Sequence, residues 1–170
     1  MKLLKKDKKI IAYLRQDSRM QLTKLSRKTS IPVSTLFERI NLLKTRQIIR
    51  PTIILNFTEI GFSLHVFVMI KTTGNNRSEV LNYLAKNHNT NSLWRINNHF
   101  DILAEMVFSD LKEFDEFLQE LESRFTIRDV EFEYVVEEFA KEKFFSDPNT
   151  ISLLDITNKE VCAIQIEQEI

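Results

Sequence analysis

Ser34, Thr35, Phe37, Glu38, Arg39, Lys44, Arg46 and Arg50 crowd a short stretch of the chain whose chemistry suits contact with nucleic acid. Small polar side chains at the start of a helix reach base edges, while Lys and Arg neutralise phosphate. Rival chemistries find less support. His65, His88 and His99 are predicted on a strand, a helix end and a loop, and with Cys162 as the lone cysteine no spacing resembles a zinc site. Two glycines cannot build a glycine-rich phosphate loop. Glu131, Glu133, Glu137 and Glu138 alternate or cluster like a solvated edge. No catalytic residue, metal or cofactor is expected.

Charge is divided unevenly along the chain. Residues 1–50 carry fourteen Lys and Arg against three acids (Asp7, Asp17 and Glu38), and the remainder carries ten against twenty-one, so a net charge of zero conceals opposite surpluses of eleven. A basic module joined to an acidic one indicates that only the first faces a polyanion. Charge alone leaves a solvated basic face open as the alternative. A length of 170 residues with 43% hydrophobic content fits one medium domain or two small ones and is inconsistent with a disordered chain. No apolar run reaches 18 residues, the opening Met-Lys-Leu-Leu-Lys-Lys lacks a signal-peptide core, and a single cysteine supports no disulfide framework; a reduced, cytoplasmic location is expected.

The basic residues need a scaffold, and the periodicity supplies three helices. Ile10, Ile11 and Leu14 share a face of a helix from about Lys6 to Gln16; Leu22 and Leu25 mark a short second helix to Lys28. Ser30-Ile31 forms a turn, Pro32 fits the first position of a third helix, and Leu36, Ile40 and Leu43 are its buried stripe. Helix, short turn and a helix with a small polar N-terminus is the layout of a helix-turn-helix. A three-helix packing unit with no DNA role is the alternative.

Asp7-x-x-Ile10, Leu14-x-x-Asp17-x-Arg19, Leu22-x-x-Leu25, Ser34-Thr35-x-x-x-Arg39-Ile40-x-x-Leu43 and Ile48-Ile49, in that order, resemble the opening domain of the Lrp/AsnC family of leucine-responsive and asparagine-operon regulators. The family usually places glycine in the turn before its recognition helix and again just after that helix; here these positions hold Ser30 and Gln47, both able to take the left-handed conformation with some strain, so the same fold with slightly different turns is expected.

Pro51 to Phe57 reads as an extended connector, and Asn56 to Phe62, with Gly61, resembles that family's turn into its effector domain. Beyond it the periodicities alternate: strand over Phe62–Lys71, turn at Gly74-Asn75-Asn76, helix with Val80, Leu81 and Leu84, strand over Ser92–Ile96, strand over Phe100–Phe108, helix with Leu111, Phe114, Leu118, Leu121 and Phe125, and strand through Val130, Phe132, Tyr134 and Val136. This is βαββαβ, a ferredoxin-like order. The predicted fold is therefore α+β: a three-helix (winged) helix-turn-helix domain over 1–50, an extended linker over 51–61, a ferredoxin-like domain over 62–139 and a C-terminal extension over 140–170. Two helices on one face of four strands leave the other face uncovered, and its large apolar residues call for a homodimer.

The resemblance implies a sequence-specific DNA-binding regulator, dimerisation through this domain with further assembly to tetramers or octamers, and an amino acid or related effector near the loop joining the second and third strands. The family's loop commonly reads Thr-Gly-Asp-Tyr-Asp; here it is Asn97-Asn98-His99-Phe100-Asp101, so Asn97, Asn98 and Asp101 become the candidate effector contacts, with a polar turn that only helps subunits pack as the alternative. Sirohaem decarboxylases resemble the same two-domain plan and are the enzyme alternative, although Trp94 and His99 do not reproduce their histidine-aromatic arrangement. In the extension, Asp147-Pro148-Asn149 is a turn or boundary. Thr157 and Glu160 have capping-box spacing, while Cys162, Ile164 and Ile166 alternate as in a strand, and both readings stay open.

Overall fold

A computed structural model describes residues 3–74 and 76–150, so the capping-box and strand readings around Thr157 to Ile166 lie outside the described residues. These residues form two compact units, one running to Ile53 and joined by the segment from Ala140 onward, the other spanning Ile54–Phe139.

In the first unit α1 (Lys5–Gln16), α2 (Leu22–Thr29) and α3 (Val33–Thr45) pack around Ile10, Ile11, Met20, Leu25, Leu36, Ile40 and Leu43. Apolar residues three or four apart put one stripe of each helix inward. Pro32 is the N-cap of α3 with φ −56° and ψ 144°, one position earlier than expected; its extended backbone hands over to helix at Val33. The turns around α3 need left-handed residues. Ser30 ends α2 at φ 57° and ψ 33°, and Gln47 follows α3 at φ 54°. Ser26 Oγ donates to Ile31 O at 2.6 Å and steadies the first turn, while Ile48 N–H and Ile49 N–H return to Leu43 O in the second. An L-residue in this region costs about 1 kcal/mol relative to glycine. Ser30→Gly and Gln47→Gly are each expected to raise the melting temperature of this unit, by roughly 1 kcal/mol of added stability; unchanged or lowered melting would show that the turns are not strained.

Residues 140–150 belong to this unit too. Phe145 packs against its core cluster, Arg15 Nη2 donates to Glu142 O at 2.6 Å and pairs with the Glu142 carboxylate at 2.5 Å, and Gln16 Nε2 donates to Ser146 O at 2.9 Å. The described part of the C-terminal extension thus packs on the first unit at the end of α1.

The second unit holds β1 (Leu64–Thr72), α4 (Arg77–Lys86), β2 (Thr90–Arg95), β3 (Ile102–Phe108), α5 (Leu111–Arg124) and β4 (Ile127–Tyr134). The antiparallel sheet has the order β2-β3-β1-β4, so each helix carries the chain across an intervening strand, the ferredoxin-like arrangement. Before it, Asn56 opens a turn through the single-turn 3-10 segment Thr58–Ile60, and Gly61 closes it at φ 97°. One sheet face meets the helices through Val66, Val68, Ile70, Ile102, Ala104, Met106 and Phe108, packed on Val80, Leu84, Phe114, Phe117 and Leu121. Asp110 caps α5, its carboxylate accepting from Glu113 N–H at 2.9 Å. The α5 stripe differs from expectation at two positions. Phe117 is buried, whereas Leu111 is exposed in the first turn, outside the stripe set by Phe114 and Leu121.

Strand pairing defines the opposite face. Met69 sits opposite Leu103 and Glu131, Phe67 opposite Glu105 and Glu133, and Trp94 opposite Leu103. The face without helices therefore combines apolar Phe67, Met69, Leu103 and Trp94 with a polar cluster of His65, Glu105 and Ser92, and is acidic along β4.

Candidate nucleic-acid interface

The expected DNA contacts divide when placed on α3. Ser34, Phe37, Glu38 and Lys44 are exposed, Thr35 is half-buried, and Arg46 and Arg50 are exposed beyond the helix end. Arg39 faces inward. Its Nε donates to Asp7 Oδ1 at 2.7 Å, its Nη2 pairs with Asp7 Oδ2, and Asp7 is wholly buried. Asp7 Oδ2 also accepts from Leu4 N–H at 3.0 Å, so one carboxylate ties the start of α1 to the middle of α3. The hydrogen bond to Asp7 raises the Arg39 pKa further against the opposing effect of burial, so the guanidinium stays charged. A bidentate pair of this kind positions α3 against α1.

Val33 and Asn41 were missed as candidates. Both are exposed, and each lies four residues from Phe37, so Val33, Phe37 and Asn41 form one ridge. The signal was present in the helical spacing. Within the same unit Lys5, Lys6, Lys9, Arg19, Lys24, Arg27, Lys28, Lys44 and Arg50 are all exposed, which supplies positive charge for phosphate.

In the second unit Asn97 and Asn98 are exposed on the β2–β3 loop, which Ile96 N–H closes onto Asp101 O at 2.9 Å. Asp101 is buried and braces the loop from below. Its carboxylate accepts from Thr72 N–H and Thr72 Oγ1, both at 3.0 Å, from Arg77 Nη2 at 3.2 Å and from Lys71 Nζ at 3.4 Å. The Asp101 oxygens thus serve β1 and the first residue of α4. An open cleft of about 470 Å³ nearby is lined by Lys71, Asn98, His99, Arg128 and Asp129.

Among the described residues no group of three or more His, Cys, Asp or Glu could hold a metal ion, and no helix is long and apolar enough to cross a membrane. The family model for a winged helix-turn-helix DNA-binding domain matches residues 3–50, and that for the Lrp/AsnC ligand binding domain matches residues 65–143.

The chain belongs to the Lrp/AsnC family of DNA-binding transcriptional regulators.

An uncharacterised helix-turn-helix transcriptional regulator of Pyrococcus abyssi is 27% identical to this Lrp/AsnC chain over 143 residues, covering 84% of this chain and 97% of the relative. The regulator FL11 of Pyrococcus horikoshii is 29% identical over 113 residues, covering 66% and 75%. Among solved structures, an AsnC family regulator of Agrobacterium tumefaciens superposes with a TM-score of 0.74 at 21% identity, over 82% of this chain and 94% of that one. A Neisseria meningitidis regulator solved as an L-Met complex gives 0.77 at 22%, over 82% and 94%. The sirohaem decarboxylase reading gains no support from these relatives.

Three carboxyls of the regulator's sheet unit set its response to acid. Burial by itself pushes Asp101, Glu105 and Glu113 up, but bonds outweigh it: Thr72, Arg77 and Lys71 on Asp101; Ser92, Asn91 and His65 on Glu105; Ser109 and Asn89 on Glu113. All three lie below the ordinary carboxylate range, so the unfolded chain binds their protons more readily. Their stabilisation is complete above the unfolded value of about 4 and is lost as pH falls through the folded values. The melting temperature of this unit is expected to hold from pH 7 to 5 and drop steeply below about pH 4. Asp101→Asn should start lower and drop less; an identical drop would remove Asp101 from the account.

Proposed function

We propose that this regulator acts in the cytoplasm as a symmetric dimer on duplex DNA, with α3 of each protomer in the major groove and the two open sheet faces packed together. The exposed α3 ridge inside a strongly basic domain carries the DNA-facing part of this reading. Ser34, Thr35, Phe37, Glu38 and Lys44 lie toward the bases, Arg46 and Arg50 toward phosphate, and Arg39 holds the helix in place. Met69, Leu103, Phe67 and Trp94 supply the apolar centre of the dimer contact. Assembly beyond the dimer, to tetramers or octamers, is a further expectation from the family.

An amino acid or related effector fits beside the β2–β3 loop, where Asn98 lines the cleft with Lys71, Arg128 and Asp129 and exposed Asn97 precedes it in the chain. These side chains offer cations for a carboxylate and an anion for an ammonium group. The L-Met complex of the Neisseria regulator makes that ligand class a concrete first trial.

Footprinting on a duplex selected by the full-length protein tests the reading. A symmetric dimer protects two half-sites separated by about one helical turn, roughly 10 bp, or a multiple of it. A single asymmetric half-site would contradict it.

A further inference from the structure

The exposed face of α3 is unusual in what it lacks. Guanine is most often read by Arg or Lys reaching O6 and N7. Arg39 is bound to buried Asp7, and the exposed residues through the first two and a half turns of α3 are Val33, Ser34, Phe37, Glu38 and Asn41, none of them basic. Lys44 enters only in the last turn. The face offers instead an apolar pair one turn apart, Val33 at 40% and Phe37 at 59% exposure, followed one turn later by the Asn41 amide.

Each group has a partner in the major groove. Thymine alone presents a 5-methyl group there, which apolar side chains contact. Adenine alone presents an acceptor and a donor side by side, N7 and N6–H, which match a carboxamide bidentately. Glu38 is the only acid on the α3 surface, in a domain whose charge otherwise favours phosphate. A carboxylate accepts from the amino groups of cytosine or adenine and is repelled by the O6 and N7 acceptors of guanine.

We propose that Val33, Phe37 and Asn41 form the specificity ridge of this regulator, with the two apolar side chains reading thymine methyls, Asn41 reading an adjacent adenine and Glu38 excluding guanine on the strand it faces. The inference rests on the placement of α3 in the major groove proposed above. Phe37 is thus a base-contact residue whose exposure in the free protein is relieved on DNA. Asn41 supplies the single bidentate contact, and discrimination at its base pair should fall by about ten- to a hundredfold without it.

The test begins with selection from random duplexes by the full-length wild-type protein, followed by affinity measurements on the selected site. Replacing its core thymines one at a time by deoxyuridine removes only the 5-methyl group. The expected loss is roughly fourfold for each contacted methyl. The same replacement should have no effect on Phe37→Ala or Val33→Ala at the thymine each reads. Asn41→Ala should flatten the preference at one adenine and leave the other positions intact. All three residues are exposed, and matched melting curves would confirm that the variants fold. A selected core dominated by guanine contacts, or one indifferent to both deoxyuridine and Asn41→Ala, would overturn the ridge while leaving groove binding standing. Failure of the wild-type protein to enrich any duplex would instead overturn the placement of α3, and the ridge with it.

Discussion

Asp7→Ala is expected to unfold the helix-turn-helix domain of this regulator at room temperature while the β-sheet domain stays folded. Asp7 is fully buried, and its loss leaves the Arg39 guanidinium, itself only 18% exposed, without a counter-charge. Breaking a buried pair from one side costs about 3–5 kcal/mol, and the partial exposure of Arg39 puts this case at the lower end. A single small core rarely supplies more than about 3–5 kcal/mol, so the domain has little to spare. Circular dichroism should show a large loss of helix at 25 °C with a sheet transition retained on heating. Arg39→Ala should behave alike, and Arg39→Lys should recover only part, because an ammonium cannot reproduce the two-point contact. Loss of DNA binding in Arg39→Ala would therefore not identify a base contact. The double variant Asp7→Leu/Arg39→Met separates the roles, since an apolar pair commonly replaces a buried ion pair with little loss. If Arg39 only positions α3, this variant folds and binds DNA within a few-fold of wild type. If Arg39 reads a base, it folds and binds poorly.

This pair also marks where sequence reading stops. The stripes of Ile10 with Leu14 and of Leu36, Ile40 and Leu43, and the alternation in Ile102 to Phe108, are local patterns, and each formed the element that it predicted. Ser30 and Gln47 were legible through the family resemblance, which usually places glycine at these two positions. The Asp7–Arg39 pair joins residues 32 positions apart, and no local period announces it. The same holds for Phe145 returning to the α1 side of the first unit, and for Asp101, whose partners lie on β1 and α4. Loop residues such as Asn97 and Asp101 looked equivalent as polar candidates. Burial distinguishes them, and burial is a property of packing.

Leu103→Asp is expected to convert the proposed dimer to a monomer without disturbing the fold. Leu103 points away from the helix-covered core, between Met69 on β1 and Trp94 on β2. A charge at that centre would be buried unpaired in the dimer, while in the monomer it faces water. The penalty of several kcal/mol should raise the dimer dissociation constant by at least about a hundredfold, readable by sedimentation equilibrium. Affinity for a two-half-site operator should fall with it, because each half-site is then bound independently. An acid introduced at a helix-facing position of β4, Phe132→Asp, is the contrasting change, since Phe132 lies against Phe114 and its loss should destabilise the fold. A Leu103→Asp protein that stayed dimeric would place the subunit contact elsewhere.

The central claim is that the basic first unit binds duplex DNA, and the salt dependence of that binding tests it most directly. Fluorescence anisotropy of the full chain with a labelled duplex, measured from 50 to 200 mM salt, should show affinity falling linearly on logarithmic axes. For six to ten phosphates neutralised, the loss is about 10³- to 10⁵-fold across that range. Absence of binding at 50 mM salt, or binding indifferent to salt, would contradict the account.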